Sequence, residues 1–346
     1  MWSAGISWDR TGYEVACVHA DGRTLRAVRF PADDVAGLAA YVHTACGTDV
    51  RAVVESTNGL LDGPLRDAGL RVLRADPWDL PPRPAFGSVP APVLARRPHE
   101  SKAETLTETD TEHGTLKGRV GALVRDIERS RPLEAELEVR GLCFSGGVRA
   151  SRTVALTFDD GPSEPYTSQV LDILARYGVA ATFFCVGLHV SAAPALVSRI
   201  REDGHTVANH TWSHPYLPDL TRDELLLQLE TTNEAVAAAT GERPLLVRPP
   251  YGSRTPETMR WIAEEGMITV LWNRDTCDWA RGGAESIVSL ALGPGGDDGE
   301  TVVLMHDGGG DRSQTVAALP TVIESLLDSG HELVTVDEML RRPVVS

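Results

Sequence analysis

Apolar positions along the chain follow two different regimes. In the first 80 residues, Ala4–Asp9, Glu14–Ala20 and Thr24–Phe30 alternate and predict three strands, the last two joined by an Asp21-Gly22 turn. Asp33–Cys46 then has helical spacing through Val35, Leu38, Ala39 and Val42, with Asp33 as a candidate N-cap. Val50–Glu55 reads as a strand, Gly59–Ala68 as a helix and Leu70–Ala75 as a strand that ends in Asp76-Pro77, giving the order βββαβαβ. From Thr153 onward strands and helices alternate. Seven strands are predicted: Thr153–Phe158, Ala181–Gly187, His205–Asn209, Leu245–Arg248, Ile268–Trp272, Thr301–Met305 and Leu333–Val336. Helical spacing marks Thr167–Tyr177, Pro194–Asp203, Arg222–Ala239, Pro256–Glu265, Ala284–Leu292 and Thr315–Ser329. Such βα alternation implies a parallel sheet with crossover helices, and seven units suggest a closed or nearly closed barrel.

The stretch between the two regimes is different. Asp79–Pro98 holds Pro81, Pro82, Pro84, Pro90, Pro92 and Pro98, a density that argues against helix or central strand. Polar Glu100–His113 follows, and the chain's two lysines, Lys102 and Lys117, fall in or just after it. Together these predict an exposed linker. Leu116–Arg129 has helical spacing and Leu133–Val139 alternates as a strand. The expected organisation is therefore an α/β domain over 1–80, a Pro-rich linker and helix over 81–140, and a larger α/β domain over 141–346.

Charge narrows the partners. Of the 346 residues 42% are hydrophobic and 24% charged, and the net charge is −16. Most of it lies in 141–346, where 28 acids face 15 arginines. That surface repels phosphate backbones and counts against nucleic acid as a partner. The five cysteines, Cys17, Cys46, Cys143, Cys185 and Cys277, are odd in number and form no C-x-x-C pair, which favours free thiols in a reducing compartment. The first residues lack a basic segment followed by an apolar one, and no apolar run approaches a membrane span. The expectation is a cytoplasmic location with no membrane partner.

In barrels of parallel strands chemistry sits where strands end, and the candidate residues of the second half follow predicted strands. Asp159 and Asp160 end the first, before Gly161-Pro162 turns the chain. Neighbouring side chains on a strand point to opposite sides, so one acid can hold a cation while the other stays free as a base. His210 and His214 follow the third strand at i and i+4, spacing that aims two imidazoles at one cation. With one carboxylate they make a three-ligand set that leaves a position open for water. Arg248 ends the fourth strand in R-P-P-Y-G; Asp275, Asp278 and Trp279 follow the fifth, and His306-Asp307 end the sixth. His189, His205 and His331 lie away from these motifs and read as structural, as does Cys277.

These residues carry a resemblance. T-F-D-D-G-P, H-T-W-S-H, R-P-P-Y-G, D-T-C-D-W and L-M-H resemble, in order and spacing, the five motifs of the polysaccharide deacetylases, the NodB-homology family also called carbohydrate esterase family 4, over about 150–340. The resemblance implies a distorted (β/α)7-type barrel and a metal-dependent hydrolase that removes an N-acetyl group from an amino sugar, an oligosaccharide or a related small amide. It assigns Asp160, His210 and His214 to a divalent ion, most often Zn2+, with Co2+ or another ion as an alternative. Asp159 becomes the general base paired with Arg248, and His306 the general acid held by Asp278. Trp279 and Leu304 become the walls of the acetyl pocket, and the Tyr251 N–H an oxyanion donor.

In the first domain, G-I-S-W-D with Asp9 and V-V-E-S-T with Glu55 resemble the RNase-H-like part of DEDD-type insertion-sequence transposases, which cut DNA with four carboxylates and two magnesium ions. Lys102-Ala103-Glu104 stands where that family has its last acids, but a second acid at the right offset is missing. The expectation is a degenerate module used for packing, ligand contact or association with a second copy of the chain. An amidase acting on a non-sugar substrate, and a nucleic-acid-processing protein with the barrel as accessory, remain the alternatives.

Overall fold

The computed structural model describes residues 1–55, 59–75, 80–81, 84, 86–100, 107–108, 120–147, 152–293 and 299–342. The Asp76-Pro77 strand end, Lys102-Ala103-Glu104, Lys117 and the expected helix start at 116–119 lie outside them.

The first sheet contains β1 (Trp2–Asp9), β2 (Gly12–His19), β3 (Val28–Phe30), β4 (Val50–Glu55), β5 (Arg71–Ala75) and β6 (Thr107–Glu108), in the order β3-β2-β1-β4-β5-β6. The first three are antiparallel neighbours, β1, β4 and β5 run parallel, and β6 pairs antiparallel with β5. Helices α1 (Val35–Cys46) and α2 (Asp62–Asp67) lie between its strands in sequence, and a 3₁₀ turn, Gly59–Leu61, leads into α2. Asp34, not Asp33, caps α1: its Oδ1 accepts the Gly37 N–H at 2.9 Å.

The Pro-rich stretch departs from expectation. Ala91–Arg96 forms helix α3, with Pro90 at the cap and Pro92 in the first turn, where a missing N–H costs nothing. Ala91, Leu94 and Ala95 are fully buried against the sheet. Gly5 on β1 makes this possible, because a Cβ there would stand 2.0 Å from the Ala91 carbonyl oxygen. With β6, this places described parts of the expected linker inside the N-terminal unit.

Helix α4 (Val120–Val139) also replaces an expected strand. Leu133–Val139 alternates in sequence, but only Leu133 and Leu137 are buried, while Val139 is 91% exposed. The two leucines are one helical turn apart and pack with Cys143, Met259 and Leu271.

The second sheet contains β7 (Cys143–Phe144), β8 (Thr153–Asp159), β9 (Thr182–Cys185), β10 (Thr206–Asn209), β11 (Leu246–Val247), β12 (Ile268–Val270), β13 (Arg274–Asp275), β14 (Thr301–His306) and β15 (Glu332–Leu333). Its order is β13-β14-β8-β9-β10-β11-β12-β7, with β15 beside β8, and every paired ladder is parallel. The helices are α5 (Tyr166–Tyr177), α6 (Gly187–Ala192), α7 (Pro194–Glu202), α8 (Arg222–Thr240), α9 (Pro256–Glu264), α10 (Ala284–Leu292), α11 (Ser313–Asp328) and α12 (Val336–Arg341). The sheet is curled, with β13 and β7 at the ends of its strand order, and a single antiparallel bridge between Gly147, beyond β7, and Glu300, before β14, spans the gap. The predicted last strand is cut short at Leu333, because Thr335 and Glu338 form a capping box that starts α12.

The two units share a core. Val186, Leu188 and Trp212 of the second unit pack in the same buried cluster as Ile6, Trp8, Tyr13, Leu61 and Leu65 of the first. Polar contacts reinforce it: the Trp212 indole N–H donates to the Asp9 carbonyl at 3.3 Å, and Arg281 donates to Asp67 at 3.3 Å.

Candidate active site

Strand β8 is buried along its whole length and delivers both acids to the rim of the curled sheet. Asp159 is its last residue; Asp160 follows at φ 77°, a left-handed conformation that few side chains other than Asn and Asp adopt readily. Arg248, with no exposed surface, supports Asp159. Its Nη1 donates to Asp159 Oδ1 at 2.7 Å and to Thr157 Oγ1 at 2.8 Å, while Nη2 and Nε reach the carbonyls of Leu271 and Val270. The guanidinium lies 4.1 Å from the centre of the Phe184 ring, so its delocalised charge stacks on an aromatic face while its N–H edge is hydrogen-bonded.

His210 donates from Nδ1 to the Arg248 carbonyl at 2.7 Å, which leaves the Nε2 lone pair free. That Nε2 is 3.4 Å from Asp160 Oδ1, and His214 Nε2 is 3.2 Å from the same oxygen. The ligand atoms of Asp160, His210 and His214 all lie within 4.8 Å of one another. Asp160 Oδ1 is nevertheless buried without a hydrogen-bond partner. A buried carboxylate oxygen facing two imidazole nitrogens, with no donor satisfied on it, fits a divalent cation. Burial pushes the Asp160 carboxyl up, but the imidazoles outweigh it and hold it well below the usual range; burial pushes His214 down, toward the neutral form that a ligand needs. Among the described residues this is the one cluster of three such side chains.

His306, at the end of β14, lines the same pocket. Its Nδ1 donates to Asp278 Oδ1 at 2.7 Å, its backbone N–H donates to Asp278 Oδ2 at 2.8 Å, and Thr315 Oγ1 donates to that second oxygen at 2.8 Å. Burial lowers the imidazole's affinity for a proton, but the charge of Asp278 and its hydrogen bond prevail and raise its pKa to about 9.

The pocket, about 230 Å³, is lined by Asp159, Asp160, His210, His214, Tyr251, Trp279, Leu304 and His306; Arg248 and Asp278 stand behind it, bonded to Asp159 and His306. The ten residues to which the family resemblance gives roles thus converge. Tyr251 is held at φ 59° between Pro250 and Gly252, its ring edge-on to His214 at 4.5 Å.

Further contacts frame the site; Asp307 stood among the strand-end candidates, whereas the parts played by His189, Arg312, Leu60, Gly63 and Leu123 were not legible as motif residues. His189 donates from Nδ1 to the Asp160 carbonyl at 2.8 Å and steadies that left-handed residue. Buried Asp307 accepts from Thr167 Oγ1 at 2.6 Å; burial, with Asp160 and Asp159 nearby, raises its carboxyl to about 7. Buried Arg312 donates to the carbonyls of Gly308 and Gly309 at 2.7 and 3.0 Å. Leu60, Gly63 and Leu123, from before the motifs, also line the pocket.

The acids of the first unit are occupied otherwise. Asp9 accepts from the Thr11 N–H and hydroxyl at 2.7 and 2.8 Å and pairs with Arg29. Glu55 is fully buried and accepts the Val89 N–H at 2.7 Å.

The family model for polysaccharide deacetylase matches residues 146–270. A peptidoglycan-N-acetylglucosamine deacetylase of Bacillus cereus is 40% identical over 213 residues, covering 60% of this chain and 98% of that protein. A chitooligosaccharide deacetylase of Bradyrhizobium is 39% identical over 203 residues, covering 54% and 90%. Among solved structures, a peptidoglycan N-acetylglucosamine deacetylase aligns with a TM-score of 0.57 at 34% identity, covering 60% of this chain and 97% of its own. With the motif residues assembled around one pocket on a curled parallel sheet, the chain belongs to the polysaccharide deacetylase family.

Proposed function

We propose that this protein removes the N-acetyl group from an N-acetylated amino sugar or short oligosaccharide by hydrolysis. The observation that carries this reading is the meeting, in the lining of one small pocket, of an Arg248-held carboxylate, a three-ligand cation site and an Asp278-held imidazole. Asp160, His210 and His214 would hold a divalent ion, with zinc favoured by the two imidazoles, and that ion would supply Lewis-acid polarisation of the amide carbonyl and a lowered pKa for water.

The chain's own residues do the rest. Asp159, oriented by its ion pair with Arg248, takes a proton from the attacking water. The Tyr251 N–H donates to the oxygen on which charge develops, a contact commonly worth about 3–4 kcal/mol. His306, protonated because of Asp278, gives its proton to the departing amine, which is otherwise too basic to leave. Trp279 and Leu304 enclose the acetyl methyl group. Both relatives described above are named for the deacetylation of N-acetylated sugars, which supports the substrate class.

The strand order β3-β2-β1-β4-β5, with β1 to β3 antiparallel and β4 and β5 parallel to β1, supports an RNase-H-like reading of the N-terminal unit. Its Asp9 is engaged by Thr11 and Arg29 and its Glu55 by the Val89 N–H, which supports a packing role over a nuclease. Five free cysteines, four of them buried, support a reducing, cytoplasmic location.

The test is acetate release from N-acetylglucosamine oligomers with added zinc. Asp159→Asn is expected to lower kcat by about 10²–10⁴-fold with one zinc per chain retained by elemental analysis. An Asn variant that turns over at the wild-type rate removes Asp159 as the base.

A further inference from the structure

Residues outside the family match wall the catalytic pocket. Leu60 and Gly63 come from the N-terminal unit and Leu123 from α4, whereas the family match starts at residue 146. Leu60 is partly buried and packs on the N-terminal core. It faces Gly309, where a Cβ would meet Leu60 Cδ2 at 3.2 Å and Asp160 Oδ2 at 2.5 Å. The positive φ of Gly309 (75°) and its lack of a side chain therefore let Leu60 come close to a candidate metal ligand. Both sides of this contact are anchored. Arg312 holds the carbonyls of Gly308 and Gly309, and Arg281 ties Asp67, at the end of α2, to Asp311 of the catalytic unit.

Beyond Leu60 and Gly309 lies a second cavity, about 520 Å³, between the two units. It shares those two residues with the catalytic pocket and is also lined by Tyr13, Tyr166 and His189. Leu60 is thus a partition. On one side is a pocket of about 230 Å³, smaller than the roughly 300–1,000 Å³ of sites for drug-sized ligands. On the other is a larger space that a bound chain would need if it continued in that direction.

We propose that Leu60 is a specificity-determining residue that restricts the enzyme to chain ends and short N-acetylated substrates, and excludes the interior of a polymer. The proposal rests on the deacetylase reading. A polymer interior needs a groove open on both sides of the reacting sugar, and the anchored wall closes one side. Shortening Leu60 joins pocket and cavity and relaxes that limit.

The experiment compares kcat/KM per acetyl group for the N-acetylglucosamine dimer, tetramer and a soluble chitin polymer, using the full chain loaded with zinc. Wild type is expected to favour the dimer over the polymer by about ten-fold or more, a discrimination within reach of steric exclusion. Leu60→Ala is expected to narrow that ratio several-fold through the polymer. Leu60→Val, with thermal melting of each variant, covers the case in which the alanine variant does not fold. Length preference in binding is read separately from tryptophan fluorescence of Asp159→Asn titrated with the same sugars. Polymer turnover as fast as that of the dimer, or a ratio unchanged in folded Leu60 variants, overturns the wall and leaves deacetylation standing. Preferential binding of short oligomers without acetate release from wild type overturns deacetylation and leaves the wall. Neither turnover nor binding overturns both.

Discussion

His306 and Asp278 show how one pair sets a working pH. Burial alone disfavours the imidazolium, yet Asp278 accepts from both the ring and the backbone of His306 and carries its pKa from 6.5 to about 9. The acid form therefore persists through neutrality, and activity is expected to fall as pH rises through that value. A cation at Asp160 acts in the opposite sense, so the alkaline limb of the metal-loaded enzyme falls at or below it. Asp278→Asn removes the anchoring charge; the limb of kcat against pH is expected to move down by a unit or more, with zinc content unchanged. A limb that stays in place assigns the proton to another group. The same shift has a stability consequence. A raised value means that the ion pair stabilises the fold fully below pH 6.5 and that this contribution is lost as pH rises through about 9. The motif spacing made His306 and Asp278 legible. Thr315, which fixes the second Asp278 oxygen from α11, was not, because nothing local in Ser313–Asp328 signals it.

At the scale of elements, the loop after β10 does two things with one short sequence. His210 and His214 face the pocket, while Trp212 between them turns the other way and is 3% exposed in the N-terminal core. Its indole donates to Asp9, and its ring lies 5.8 Å from Phe86, which in turn meets Trp8. Gln228 on α8 accepts the backbone N–H groups of Trp212 and Ser213 at 2.8 and 3.0 Å. The ligand-bearing loop is thus pinned from both units. Trp212→Ala is expected to destabilise the fold by about 3–5 kcal/mol, measured by urea unfolding. It is also expected to weaken zinc about 10–100-fold, as loss of support for metal ligands commonly does, measured by competition with a chelator. Wild-type zinc affinity in a destabilised variant separates packing from ligand positioning.

At the scale of the whole molecule, the N-terminal unit is part of the catalytic body. It covers Val186, Leu188 and Trp212, supplies Leu60 to the pocket, and is latched through Asp67 to Arg281. A chain restricted to 141–346 exposes those three apolar side chains, each worth about 1.5–3 kcal/mol when buried. It is expected to melt well below the full chain and to bind a hydrophobic dye; an unchanged melting temperature makes the units independent. The sequence by itself determined the alternation that builds the parallel sheet and the strand-end acids and histidines, and its family resemblance added the rest of the ten pocket residues. Strand ends are local and survive in any fold with that topology; the i, i+4 spacing suggested a helical turn, but His210 and His214 sit on a loop in which Thr211 and His214 take positive φ (66° and 58°), and that loop brings them together. Contacts between segments far apart were decided by tertiary structure alone. Leu133–Val139 alternates like a strand but is helical, because α9 offers a face for two leucines one turn apart. The prolines around Ala91 look like a linker, but Gly5, far upstream, leaves room for a helix. Leu60 becomes a pocket wall only because a separate unit docks on the rim, and burial against a distant partner leaves no period in a sequence.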